Sequence, residues 1–177
     1  MLRSAIEMQK PLLGNVASQL LELGPKLVRR PLALVPFRLK ADVLERLLGL
    51  LLAQQAEDEE LDFLQDSWVA IHVEDMGLEF EVSFDGRWQV RQPTNAEVTF
   101  TGQSKELLLI AAGKEDPDTL FFQRKLSIEG DTELGLEIKN LLLSIEFDTM
   151  PSPIRHSIEK LAQLIQQLQL KANPETA

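Results

Sequence analysis

The chain of 177 residues is 44% hydrophobic, enough for one globular domain with an appended segment, and its lack of cysteine excludes disulfides, thiolate metal sites and thiol catalysis. Its net charge of -10 is unevenly placed: residues 1–50 hold eight Lys/Arg against four Asp/Glu, and the remainder ten against twenty-four. The acidic body excludes a general nucleic-acid binder, whose affinity rests on neutralising phosphates. The basic, apolar leading part suits either an anionic lipid surface or packing on its own domain.

The opening MLRSAIEMQK lacks the apolar core and small-residue cleavage site of a secretory signal. The uncharged run at 47–56 (LLGLLLAQQA) is about half the roughly 20 residues a spanning helix needs. A cytoplasmic protein is expected, peripheral at the inner face of the membrane if the leading segment docks there. In residues 12–23, Leu12, Val16, Leu20 and Leu23 recur at helical spacing until Gly24-Pro25, which predicts an amphipathic helix ending there. Pro25, Pro31 and Pro36 then punctuate apolar residues and Arg29-Arg30, as in a hinge or an irregular docking segment. Residues 1–36 are thus set apart for membrane or partner docking, with Leu12, Val16, Leu20, Arg29 and Arg30 as contact candidates. Residues 41–55 predict a helix with a wide apolar face of Val43, Leu44, Leu47, Leu48, Leu51 and Leu52. The EDEELD that follows reads as a solvated helix end, because no spaced glycine or further ligand set accompanies it.

The period then changes. WVAIHVED, GLEFEVSF, RWQVRQ and AEVTFTG are short runs rich in β-branched and aromatic residues, and predict four strands. In the second, Leu78, Phe80, Val82 and Phe84 alternate with Glu79, Glu81 and Ser83, giving one apolar and one wet face. Asp85-Gly86 is a hairpin signal. Ser104 is read as the cap of a helix to about residue 112 with Leu107, Leu108 and Ala111 facing inward, and Asp116-Pro117 opens another. LSIEG predicts a fifth strand, Asp131 caps a helix to about residue 146, and a last helix spans about 152–170. The class is α+β: a five-stranded sheet covered on one face by helices, with extra N-terminal and C-terminal helices.

Candidate chemistry is sparse. EGDTELG spaces Gly130 and Gly135 as a phosphate loop would, but Leu136-Glu137 replace its Lys and Ser/Thr, and Glu129, Asp131 and Glu133 would repel an anion. His72, with Glu74 or Asp75, is the only catalytic constellation that can be assembled, and a turn-forming aspartate competes with it. No metal site or cofactor is implied. In contrast, Leu134, Ile138, Leu141, Leu142 and Ile145 form one stripe of the helix after Gly130, while Leu136 and Leu143 lie on another side. Gly135 inside that helix suggests another group at close range. Core packing and an apolar ligand cavity both account for this stripe and for Phe121-Phe122.

The order of four strands, two short helices, LSIEG and an amphipathic helix resembles the sterol-carrier-protein lipid-binding domain, where an F-x(n)-G-K-L-x-I-x-G-D pattern leads into that helix. Here the corresponding stretch is FFQRKLSIEGD. IAAGKEDPDTLFFQRKLSIEGDTELGLEIKNLL and LVPFRLKADVLERLL are similar to one bacterial branch of that family, the accessory factors of anaerobic, oxygen-independent ubiquinone biosynthesis. The resemblance covers residues 25–150 and implies a non-catalytic carrier at 37–150, with a C-terminal helix and tail at 151–177. Its cavity would bind isoprenoid quinone intermediates or phospholipids, and its partners would be iron-sulfur hydroxylases. The cavity candidates are Phe80, Phe100, Leu108, Ala111, Phe121, Phe122, Leu134, Ile138 and Leu142. An adapter without a lipid ligand is the alternative. Ile154, Ile158, Leu161, Ile165 and Leu168 have the spacing of a bundle seam, through which a homodimer or intramolecular packing would form.

Overall fold

Alternation of apolar and polar residues forms the strands at β1 (Val69–Val73), β2 (Leu78–Phe84), β3 (Trp88–Arg91), β4 (Val98–Gly102) and β5 (Leu126–Gly130). The computed structural model describes the backbone of residues 2–145 and 152–172, and most of their side chains from residue 18 onward. The strands make one sheet in the order β3-β2-β1-β4-β5, antiparallel except for the parallel β1–β4 pair. Its register sets Phe80, Ile71, Phe100 and Ile128 in one transverse row and Val90, Val82, Val69 and Val98 in the next. These rows form the inner face, and Glu81, Ala70, Thr99 and Glu129 form a row on the outer one.

Seven helices lie among the described residues: α1 (Leu2–Leu34), α2 (Phe37–Leu51), α3 (Ala53–Glu57), α4 (Ser104–Ala111), α5 (Pro117–Phe122), α6 (Thr132–Ser144) and α7 (Ser152–Ala172). The α+β class and the helices at both ends agree with the sequence. The N-terminal boundaries do not. The helix expected to end at Gly24-Pro25 runs on to Leu34, through the segment read as a hinge. Its packing along α7 outweighs the local cost of Pro25 and Pro31. The helix expected at 41–55 instead breaks at Leu52, whose backbone leaves the helical region before α3 begins. α7 also packs on α4, where Ala162 is completely buried with Leu109 and Ala112, and Ile158 and Ile165 lie against them. Ile154 and Leu168 of the expected seam lie outside the described side chains.

Two glycines fix the junctions around the inner face. Gly130 has φ +118°, and a Cβ there would collide with the Glu97 carbonyl, which accepts a hydrogen bond from the Asp131 N–H at 2.9 Å. Asp131 then caps α6 by accepting from the Leu134 N–H, also at 2.9 Å. Gly135 lies inside α6 because a Cβ there would stand 3.1 Å from Ile128 Cγ2 on β5. The glycine–acid turn is therefore a tight strand-to-helix joint.

Candidate functional site

The apolar faces of α2, α4 and α6 meet the inner face of the sheet without filling the space between them. A cavity of about 230 Å³ remains. The sheet contributes Val69, Ile71, Phe80, Val82, Trp88 and Phe100. From α2 come Leu48 and Leu51, from α4 Leu107, Ile110 and Ala111, and from α6 Ile138, Leu141 and Leu142. Apart from the indole nitrogen of Trp88, the lining side chains carry no polar group. Such a space holds a hydrocarbon better than water, which needs polar partners to enter.

Phe80, Phe100, Ala111, Ile138 and Leu142 are the sequence candidates that border this cavity. Phe121 and Phe122 do not. In the short α5, Pro117 and Leu120 face the core, which turns both rings outward, and Phe122 is 81% exposed. Leu108 of α4 does not line the cavity, and Leu134 packs against the core cluster without lining it. The sequence reading missed Trp88, although it shares the inner side of the β2–β3 hairpin with Phe84, 5.3 Å away ring to ring. It also missed the α2 leucines as cavity wall, although their wide apolar stripe was the available signal.

The docking candidates lie elsewhere. Leu20 and Arg30 are exposed on α1, while Leu12 and Val16 fall among residues whose side chains are not described. Arg29 lies over the β1–β2 turn, so close to Gly77 that a side chain there would meet its guanidinium.

The outer face of the sheet is polar and internally satisfied. Glu81 is 2% exposed; its carboxylate accepts from Arg91 Nε at 2.6 Å and from the Thr94 N–H at 2.7 Å and hydroxyl at 3.0 Å. Burial pushes its pKa up, but the Thr94 and Arg91 donors outweigh burial and leave it below the ordinary glutamate value. Arg91 in turn stacks over Trp68, 3.6 Å from the ring centre. A second buried carboxylate, Glu106 on α4, is shifted upward by burial, against a smaller opposing effect of Lys105.

Two of the groups considered for catalysis, His72 and Asp75, hold structural contacts. His72 Nε2 pairs with Glu79 at 3.0 Å on the outer face, away from the cavity. Asp75 caps α4, accepting from the Ser104 N–H at 2.9 Å and hydroxyl at 2.7 Å. Ser104, read from the sequence as the cap, is thus the first residue of α4; the cap position is Gln103, whose side chain makes no capping bond, and Asp75 supplies the acceptor from the turn after β1. Among the described residues no group of three or more His, Asp and Glu could hold a metal ion, and no helix is long and apolar enough to cross a membrane.

The model of the SCP-2 sterol transfer family matches residues 44–143, more than half of the chain. The ubiquinone biosynthesis accessory factor UbiT of Escherichia coli (strain K12) is 45% identical over 166 residues, which cover 93% of this chain and 95% of that protein. UbiT of Escherichia coli O157:H7 matches equally. Among solved structures, the UbiJ-SCP2 ubiquinone synthesis protein superposes with a TM-score of 0.50 at 18% identity, over 63% of this chain and 100% of its own, a likeness of fold alone. These relationships point to a non-catalytic protein, homologous to UbiT. With a family model spanning more than half its length and a relative aligned over nearly all of it, the chain belongs to the SCP-2 sterol transfer family.

Proposed function

We propose that this protein is a lipid-binding accessory factor of ubiquinone biosynthesis. It takes the isoprenoid chain of a quinone intermediate into its cavity and presents the ring to iron-sulfur hydroxylases of the oxygen-independent route. The observation that carries this reading is the all-but-completely apolar cavity between sheet and helices. An isoprenoid tail does not leave a bilayer unaided, because each buried CH₂ contributes about 0.8 kcal/mol, so a shielded space is needed to bring its ring to soluble enzymes. At about 230 Å³ the cavity lies below the roughly 300–1,000 Å³ of typical ligand pockets, so it receives part of a chain, and the helices part to take more.

Docking at the inner face of the cytoplasmic membrane completes the reading. Leu27 and Leu34 on α1 and Leu39 and Val43 on α2 are exposed beside Lys26, Arg30 and Arg38. Each basic residue near an anionic surface contributes about 1 kcal/mol. Native mass spectrometry of the purified protein with a prenylated benzoquinone tests the central point: a bound mass is expected, and protein that never takes up the quinone or any cellular lipid contradicts it. Flotation with phosphatidylglycerol vesicles, expected to exceed that with neutral vesicles, tests docking. A second reading, an adapter without lipid, is favoured by the spacing of the exposed Leu20, Leu23, Leu27 and Leu34 on α1, which suits a partner helix. Concentration-dependent light scattering together with no lipid uptake would select it.

A further inference from the structure

Trp88 stands between two hollows. On one side is the apolar cavity; on the other is an outer hollow of about 480 Å³ with Glu45, Arg46 and Arg87 on its rim. Between Glu45 and Arg46 of α2 and the start of α3, the helical side of this hollow is lined by the small residues Gly49, Ala53 and Ala56. The indole is 8% exposed, and its Nε1–H is buried with no hydrogen-bond partner. Buried donors are nearly always satisfied, so this one marks a place where an acceptor belongs. Its direction follows from Gly49: a Cβ there would stand 3.8 Å from Trp88 Cδ1, the ring atom bonded to Nε1. The donor edge of the indole thus faces α2 where that helix has no side chain. Glu45, one turn earlier, accepts from the Val90 N–H at 3.1 Å and so holds α2 along the edge strand.

We propose that the chain of the ligand enters between α2 and β3 at Gly49, and that Trp88 Nε1–H donates to a carbonyl or hydroxyl oxygen of the attached ring. The ring then lies in the outer hollow beside Arg46 and Arg87, reachable by another protein, with the tail in the cavity. This assignment rests on the lipid-carrier reading above. The ester carbonyl of a diacyl lipid has the same acceptor chemistry, so the test separates the two sources.

Binding of a prenylated benzoquinone, phosphatidylglycerol and squalene, a hydrocarbon without oxygen, is measured for the wild type, for Trp88→Phe, and for a variant carrying β-(3-benzothienyl)alanine at position 88. The last keeps the ring shape and removes only the N–H. Both variants are expected to bind the quinone about tenfold more weakly, as for one lost hydrogen bond, and squalene as well as the wild type does. Gly49→Leu, which fills the gap from α2 against the indole and keeps its N–H, is expected to weaken both ligands. Equal loss for quinone and squalene, or no loss for either, overturns the donor role. A loss confined to phosphatidylglycerol overturns the ring assignment. A wild-type protein that binds none of the three overturns the carrier reading itself.

Discussion

Alternate residues of β2 enter opposite environments. Glu79, Glu81 and Ser83 face outward, where Glu81 has three donors within 3.0 Å and the Ser83 hydroxyl donates to the Leu64 carbonyl, also at 3.0 Å. Phe80 and Val82 face inward, onto a space that surrounding side chains leave unfilled. Protein interiors are normally close-packed, and a void forfeits the dispersion contacts its lining would otherwise make. The outer face is therefore closed by hydrogen bonds and an ion pair, while the inner face, though it carries the core, leaves part of its packing unmade. Substitutions should separate these two roles.

The largest effect is expected at the joint between them. Gly130→Ala should destabilise by about 3 kcal/mol, read as a lower urea midpoint, because its Cβ meets the Glu97 carbonyl at a φ that other residues avoid. On the outer face, Glu81→Gln should cost about 2 kcal/mol by weakening the bonds to Arg91 and Thr94, with lipid uptake unchanged. The pH dependence follows from the lowered pKa of Glu81. Its contribution is present above the ordinary glutamate value of the unfolded chain and is lost as pH falls through the lower folded value. The stability gap between wild type and Glu81→Gln should therefore hold near neutrality and close in acid; a gap independent of pH would show that packing alone is at stake.

Smaller effects sharpen the contrast. Asp75→Ala should cost about 1 kcal/mol by uncapping α4, one wall of the cavity. Phe122→Ser should change stability by less than about 0.5 kcal/mol and leave lipid uptake intact, because the ring is exposed and off the cavity. Lost uptake in that variant would instead place Phe122 on the entry route.

The sheet was legible because period-two alternation fixes which side chains share a face: Phe80 and Phe100 could be placed inside from sequence alone. Gly135 was legible too, since a glycine within an apolar-striped helix signals a close neighbour, here Ile128. Phe121 and Phe122 were misread because hydrophobicity says nothing of direction in a six-residue helix. The pair Pro117 and Leu120, three apart and both buried, decides it. α1 was misread because Gly24-Pro25 and Pro31 are local stop signals that contact with the distant α7 overrides. Glu81 was read as part of a wet strand face, and only the fold brings Arg91 and Thr94 over it.

The central claim is that the inner cavity, and not the outer surface, carries the lipid. The most direct test fills it: Ala111→Phe adds a ring to the cavity wall, and the lipid retained by this variant is compared with wild type and Glu81→Gln by native mass spectrometry. Lipid bound to wild type and Glu81→Gln but lost from a folded Ala111→Phe is the expected result. Undiminished lipid on Ala111→Phe would contradict the account.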